Sequence, residues 1–181
     1  MLELDRQIFC YFNQTLANSF FDGLMPIITD LNSWIPILIC LLFWLIFDGG
    51  GKYRVFALFL CLSVGLSDFI SSQVIKNIVL RKRPCCEIVE ARKLTGCLKS
   101  KSFPSSHAAN STTIAGMVFF EMGPKIGIPI LAIALVVAFS RIYVGVHYPM
   151  DVMSGIIVGF LVALFMTRFK RFVLRKKNEG S

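Results

Sequence analysis

Apolar residues in this chain fall in long blocks separated by short polar breaks. Near the start, Leu4, Ile8, Phe9, Tyr11, Phe12 and Leu16 recur at helical spacing with Asp5, Arg6, Gln7, Asn13 and Gln14 between them. That pattern predicts an amphipathic helix over 4–18 lying at a membrane interface rather than a span. Residues 20–31 are apolar but carry Asp22, Gly23, Pro26 and Asp30, which predicts a short helix or re-entrant stretch. Residues 34–47 are almost purely apolar and stop at Asp48-Gly49-Gly50-Gly51. The run is short for a span, so its helix is expected to begin at Ser33 or before.

Residues 53–80 predict a longer helix. Its second half holds Ser67, Asp68, Ser71, Ser72, Gln73 and Lys76, which must face protein or water rather than lipid tails. A polar, basic loop follows over 81–103. Further spans are expected from Ser105 to about Phe120, over 126–143, and from Pro149 or Met150 to near Thr167, with tight connectors at 121–125 and 145–149. The basic tail, 168–181, continues the last helix and is expected to fray at Asn178-Glu179-Gly180. The architecture predicted is an all-α polytopic bundle of five to six spans with an N-terminal amphipathic helix. We read 1–181 as one integral-membrane domain, with 1–31 as an interfacial or re-entrant region.

Composition supports a membrane protein. The hydrophobic share is 55% and the mean hydropathy +0.68, against roughly 45–50% apolar in soluble domains. The formal net charge of +8 does not call for nucleic acid. The basic residues form two groups, Arg81 to Lys101 and the tail, consistent with anchoring to anionic lipid and with an anion site. Glu3 and Asp5 precede any apolar stretch, so a cleaved signal peptide is not expected. Of the six cysteines, Cys10, Cys40 and Cys61 lie in apolar surroundings. Cys85, Cys86 and Cys97 share one polar loop without a CxxC pair, which disfavours zinc. In an oxidising compartment Cys97 would pair with Cys85 or Cys86, stabilising the fold by roughly 3 kcal/mol in the chain-entropy model.

Three polar motifs at the span ends carry the chemistry. Lys76 and Arg83 are spaced about two helical turns apart, and Pro84 is expected to stop that helix. Together they offer a point charge and a planar fork for phosphate oxygens. Pro104-Ser105-Ser106-His107 opens a helix, where free N–H groups and the positive helix end favour an anion. Ser105 and Ser106 also suit helix capping. Ser140-Arg141 ends one span, and His147 and Asp151 bracket the start of the next, close enough for Asp151 to orient the imidazole. His107 and His147 are the only histidines, and both fall within these motifs.

Lys-x6-Arg-Pro, Pro-Ser-x-His and Ser-Arg-x5-His-x3-Asp, read in that order over 76–151, resemble the type 2 phosphatidic acid phosphatase (PAP2) superfamily, related to glucose-6-phosphatase and vanadium haloperoxidases. One departure is Ser106, where the family usually has Gly; the backbone N–H survives, while the pocket is narrower. The resemblance implies a PAP2/haloperoxidase-like core. It also implies that His147 attacks phosphorus to form a phosphohistidine, that Asp151 orients it, and that His107 protonates the leaving group. Lys76, Arg83, Ser105, the Ser106 backbone and Arg141 would hold the phosphate oxygens, with no metal and no cofactor.

The expected substrate is a membrane lipid phosphate or pyrophosphate whose tail stays in the bilayer. Undecaprenyl pyrophosphate or lipid A 1-phosphate is favoured, with phosphatidylglycerol phosphate or phosphatidic acid as alternatives. The basic loop (Arg81, Lys82, Arg92, Lys93, Lys99, Lys101) suggests a polyanionic head. A non-catalytic lipid-phosphate binding or transport protein is the rival from another class; a vanadate-holding oxidant enzyme conflicts with the spans. Once Lys76, Arg83 and Arg141 are set aside, Lys and Arg are more numerous at the tail end. That predicts a cytoplasmic tail and an outward-facing site in a bacterial inner membrane.

Overall fold

The computed structural model describes residues 2–97 and 99–179, with side chains for 3–97 and 99–176. Gly180, where fraying was expected, and the side chain of Lys177 in the basic tail lie outside these limits. Among the described residues the structure is helical and has no strand. α1 (Leu2–Cys10) passes into a π-helical turn (Tyr11–Thr15). α2 (Ser19–Thr29) is capped by the Asn18 side chain, and α3 (Leu31–Phe47) by Asp30. α4 (Gly50–Asp68) continues through a π-helical segment (Phe69–Ile75) into α5 (Lys76–Val79). A one-turn α6 (Pro84–Glu87) lies in the loop before α7 (Ser106–Met122), α8 (Pro124–Tyr143) and α9 (Pro149–Glu179).

Three stretches, Gly50–Glu87, Pro124–Tyr143 and Pro149–Lys176, are long and apolar enough to cross a membrane. α2 and α3, bent by 51° at Asp30, make a fourth if they count as one broken span. Five to six spans were expected, and α7 accounts for part of that difference. It has 17 residues, and its first half carries Ser106, Asn110, Ser111, Thr112 and Thr113. Ile37 and Leu41 on α3, Leu58 and Leu62 on α4, Ile128 on α8, and Ile157, Leu161 and Phe165 on α9 all point outward and exposed. Large side chains of this kind belong against lipid.

α7 is the axis of the bundle, wrapped by α4, α8 and α9. Its closest partner is α9, and small residues make the approach possible. A Cβ on Gly155 would lie 2.4 Å from the Ser105 carbonyl oxygen, and one on Gly159 would lie 2.3 Å from that of Ala109. One turn on, Ala163 packs so tightly on Gly116 that a Cβ there would meet it at 2.7 Å. Thr113 Oγ1 donates across the seam to the Gly159 carbonyl at 3.3 Å. Lipid tails are as apolar as leucine, so association of membrane helices rests on this close backbone packing rather than on hydrophobic burial.

Two local expectations are corrected. The helix does not run from Lys76 to Arg83: α5 ends at Val79, and Leu80 takes a left-handed conformation (φ 54°). Arg83 is extended, and Pro84 opens α6 instead of stopping a helix, the position where a missing N–H costs nothing. The amphipathic α1 and its π-helical turn pack on the bundle rather than lying only at an interface. Leu4 and Tyr11 face outward, while Asp5, Phe9 and Asn13 are buried on the bundle. Asn13 Nδ2 donates to the Tyr143 carbonyl at 2.8 Å and to that of Arg92 at 3.0 Å, and its Oδ1 accepts from the Arg92 N–H.

The α7–α9 seam yields a direct test. Gly159→Leu drives a side chain into backbone that cannot yield, so it is expected to cost about 3 kcal/mol or more. Gly65→Leu enters open space and is expected to leave stability nearly unchanged. Unfolding midpoints in detergent check both, and equal midpoints for the two variants would refute the seam.

Candidate active site

All three motifs meet at one end of the bundle because the seam aligns the first turns of α7 and α9. The Ser105 N–H donates to the Asp151 carbonyl at 2.9 Å, tying the two helix starts together. Ser105 caps α7, its Oγ accepting from the Ala108 N–H. From the end of α8, the Arg141 carbonyl accepts from the N–H groups of Val146 and His147, both at 3.2 Å. Gly145 adopts φ 89°, and a Cβ there would meet the Arg92 carbonyl oxygen at 2.2 Å. Only glycine fits this turn, which delivers His147 into the interior.

His147 is fully buried. Arg83 Nη1 lies 3.2 Å from its Nε2, and the same guanidinium donates to the carbonyls of Val146 and Ser100 and to Ser100 Oγ. A guanidinium only donates, so Nε2 must present its lone pair and the proton sits on Nδ1. On the Nδ1 side, Asp151 Oδ2 is 3.6 Å away and Ser102 Oγ 3.5 Å. Ser102 donates a short hydrogen bond to Asp151 Oδ2, which also accepts from the Tyr148 N–H at 2.9 Å. Asp151 therefore acts on the ring chiefly as a nearby charge, with Ser102 wedged between them. Burial pushes the His147 pKa down to about 3, overcoming the opposing pull of Asp151 and reinforced by Arg83 and Arg141. The imidazole is neutral at physiological pH, as a nitrogen nucleophile must be.

Asp151 is completely buried, and a buried carboxylate needs a counter-charge. Arg81 supplies it, donating to Asp151 Oδ1 at 2.8 Å and to Asp5 Oδ2 of α1 at 2.6 Å. Its guanidinium lies 4.0 Å from the centre of the Tyr148 ring, and the other Asp5 oxygen accepts from the Met150 N–H at 2.9 Å. The sequence had placed Arg81 among loop cations for a polyanionic head. It is turned inward, as is Arg92, which pairs with Asp22 through a short contact and donates to the Asn13 carbonyl. Lys82, Lys93 and Lys99 remain exposed.

The second cluster surrounds Lys76. Its Nζ donates to Ser106 Oγ at 2.8 Å, and Ser106 is 2.9 Å from Ser72 Oγ, which donates to Asp68. The π-helical register widens the turn and sets Ser72 and Lys76 toward α7; such insertions recur at functional sites. His107, half-buried in the first turn of α7, lies within electrostatic reach of Arg141, Lys76 and Arg83. Arg141 is buried, its Nη1 held by Thr29 of α2 through a short hydrogen bond, and its Nε is without a partner. Among the described residues, three cations thus converge with the more distant Asp68 and Asp151 to balance them, an arrangement suited to a multiply charged anion.

All eight residues singled out in the sequence (Lys76, Arg83, Ser105, Ser106, His107, Arg141, His147 and Asp151) lie at this end. Ser102, Asp5 and Thr29 escaped sequence reasoning, and Arg81 was read as a headgroup cation rather than as the partner of Asp151. Asp5 left one trace: it shares a helical face with Phe9 and Asn13, and a charge on a buried face needs a partner. Ser102, in the loop between Lys101 and Phe103, left none. In the loop, Cys97 is disulfide-bonded to Cys85, and Cys86 Sγ lies 3.1 Å from Cys97 Sγ. With two sulfurs bonded to each other, the trio cannot offer three thiolates to a metal.

Known proteins share this framework. The PAP2 superfamily model matches residues 56–175. An undecaprenyl-diphosphatase, BcrC of Bacillus subtilis, is 30% identical over 84% of this chain and 76% of its own length. A lipid A 4′-phosphatase of Bacteroides thetaiotaomicron is 27% identical over 87% of this chain and 72% of its own. The crystal structure of a PAP2-type phosphatidylglycerolphosphate phosphatase from Bacillus subtilis superposes with a TM-score of 0.76 at 22% identity, covering 95% of this chain and 87% of that one.

Arg81→Gln leaves Asp151 and Asp5 without their shared cation and is expected to cost about 3–5 kcal/mol. The double variant Asp5→Asn/Arg81→Gln should recover part of that loss, because the two sites are coupled. Denaturation in detergent measures both. Additive losses would mean that the three groups are not bonded together in solution.

Proposed function

This chain belongs to the PAP2 superfamily, and from that premise we propose that it removes phosphate from a membrane-embedded lipid phosphate or diphosphate through a phosphohistidine on His147. It is a phosphatase and a multi-pass membrane protein. The observation that carries the mechanism is the neutral, buried His147, with Nε2 held as an acceptor by Arg83 and Nδ1 facing Ser102 and Asp151. An incoming phosphate oxygen is an anionic acceptor and outcompetes a neutral imidazole for Arg83 Nη1. Substrate binding would therefore release the Nε2 lone pair where phosphorus arrives.

Nε2 then forms a bond to phosphorus as the bond to the leaving oxygen breaks, and His107 gives that oxygen a proton. The imidazolium charge that develops is stabilised by Asp151. In the second half, water attacks phosphorus, His107 takes its proton, and His147 is restored as inorganic phosphate leaves. Lys76, Arg83, Ser105, Ser106 and Arg141 stabilise the oxygens in both transition states. Ser106 offers its hydroxyl, already bonded to Lys76, in addition to the backbone N–H. This fixed cationic cage supplies the charge that a metal would otherwise bring.

Undecaprenyl diphosphate is the substrate we favour, on the similarity to BcrC over most of the chain. A lipid A phosphate is the second reading, supported by the Bacteroides relative; that relative is named for the 4′ position, whereas the sequence reading had favoured the 1-phosphate. We place the site on the extracytoplasmic face and the basic tail in the cytoplasm. The Cys85–Cys97 disulfide at the motif end supports this orientation, because such bonds persist in oxidising compartments.

Two measurements test the proposal. His147→Ala should lower phosphate release from undecaprenyl diphosphate by at least about 10³-fold while lipid binding persists, with the wild type unaffected by EDTA. Activity within tenfold of wild type would remove His147 as nucleophile, and EDTA loss restored by a divalent ion would refute the metal-free cage. In intact cells, a membrane-impermeant maleimide should label Cys86 without reductant and Cys85 and Cys97 only after reduction. Protection of all three from the outside under both conditions would reverse the orientation.

A further inference from the structure

At the end of the bundle opposite the motifs, the structure forms a second polar recess. A cavity of about 180 Å³ is bounded by Lys52, Tyr53 and Phe56 of α4, Glu121 and Met122 of α7, Ile126 of α8 and Lys170 of α9. It continues into a groove edged by Val55, Arg171 and Leu174. Lys170 is buried and donates to Glu121 Oε2 at 2.5 Å, with its ammonium 5.7 Å from the Phe56 ring centre. The other carboxylate oxygen, Glu121 Oε1, is buried with no hydrogen-bond partner.

A buried carboxylate oxygen left without a donor is costly. One water would satisfy it, but the cavity holds the liquid volume of about six. The charges around it are unequal: among the described residues that line it, Lys52, Lys170 and Arg171 stand against Glu121. The recess therefore complements a ligand that carries a negative charge for the cations and a donor for Glu121 Oε1. Val55, Ile126 and Leu174 form an apolar edge, with Ile126 and Leu174 exposed on the outer surface. Basic recesses between membrane helices characteristically take anionic headgroups.

We propose that this recess binds the headgroup of an anionic phospholipid carrying a free hydroxyl, of the phosphoglycerol type, in the leaflet opposite the active site. The phosphate sits between Lys52 and Arg171, a headgroup hydroxyl donates to Glu121 Oε1, and an acyl chain leaves past Leu174. The site ties the ends of α4, α7 and α9 together where no motif holds them. It does not depend on the catalytic reading.

The test is thermal unfolding of delipidated protein in detergent with phosphatidylglycerol, phosphatidylcholine or inorganic phosphate. Phosphatidylglycerol should raise the midpoint by at least about 3 °C in both wild type and His147→Ala, which discounts binding that depends on the catalytic histidine. Phosphatidylcholine, which lacks a donor, should give less than half that shift. Lys52→Glu and Arg171→Gln change exposed side chains and should fold, yet lose the shift. A full shift in both variants would overturn the site, and an equal shift with inorganic phosphate would assign it to free phosphate rather than lipid.

Discussion

The active end depends on how closely α7 and α9 approach. Gly155, Gly159 and Ala163 recur at four-residue spacing on α9 and meet Ala108, Ala109, Thr112, Thr113 and Gly116 on α7. That contact holds the Ser105–His107 turn against the His147–Asp151 turn, and the bond from the Ser105 N–H to the Asp151 carbonyl fixes their register. Larger residues along the seam would push the two helix starts apart. The first turn of α7 and the His147 imidazole, two residues before α9, would then no longer be held together. In a bilayer the hydrophobic effect does not correct such a gap.

Charge is the second constraint. Lys76, Arg83 and Arg141 gather in a confined space, and Asp151 is buried beneath them. The protein balances this with groups outside the motifs. Arg81 shares its fork between Asp151 and Asp5, and Asp5 holds the Met150 N–H at the start of α9. The N-terminal helix is thus an electrostatic part of the site as well as an interfacial element. Thr29, at the bend between α2 and α3, holds Arg141 in the same way. Segments that look peripheral along the chain set the orientation of the central side chains.

The outer surface and the two ends divide the remaining work. Exposed leucine, isoleucine and phenylalanine side chains make the sides of the bundle compatible with lipid. At the motif end, a disulfide cross-links the loop to itself, and Asn13 binds it to the π-helical turn and to α8. At the far end the buried Lys170–Glu121 pair does comparable work and leaves one carboxylate oxygen without a hydrogen-bond partner beside a cavity.

Much of this was legible in the sequence. Block hydropathy predicted the long helices and most of their limits to within a few residues, though not α6, and motif spacing picked out the eight side chains that converge. Both are local properties: helical period and residue chemistry can be read from neighbours along the chain. Hydropathy ended the long helix at Leu80, one residue past the observed end at Val79, whereas the motif spacing carried it on to Pro84; the left-handed turn at Leu80 was not legible, because no glycine or proline marks it. The roles of Ser102, Arg81, Asp5 and Thr29 were hidden for a related reason. A serine or an acid acquires a partner only when two helix faces distant in sequence come within 3 Å or so. Which cysteine bonds Cys97 was likewise open, since Cys85 and Cys86 are adjacent and only the inward turn of α6 separates them. Sequence determined which polar and charged residues the chain carries and that they fall at the ends of its apolar runs. Tertiary structure decided which groups neutralise, orient and cap one another, because those choices depend on the distances between helices rather than along them.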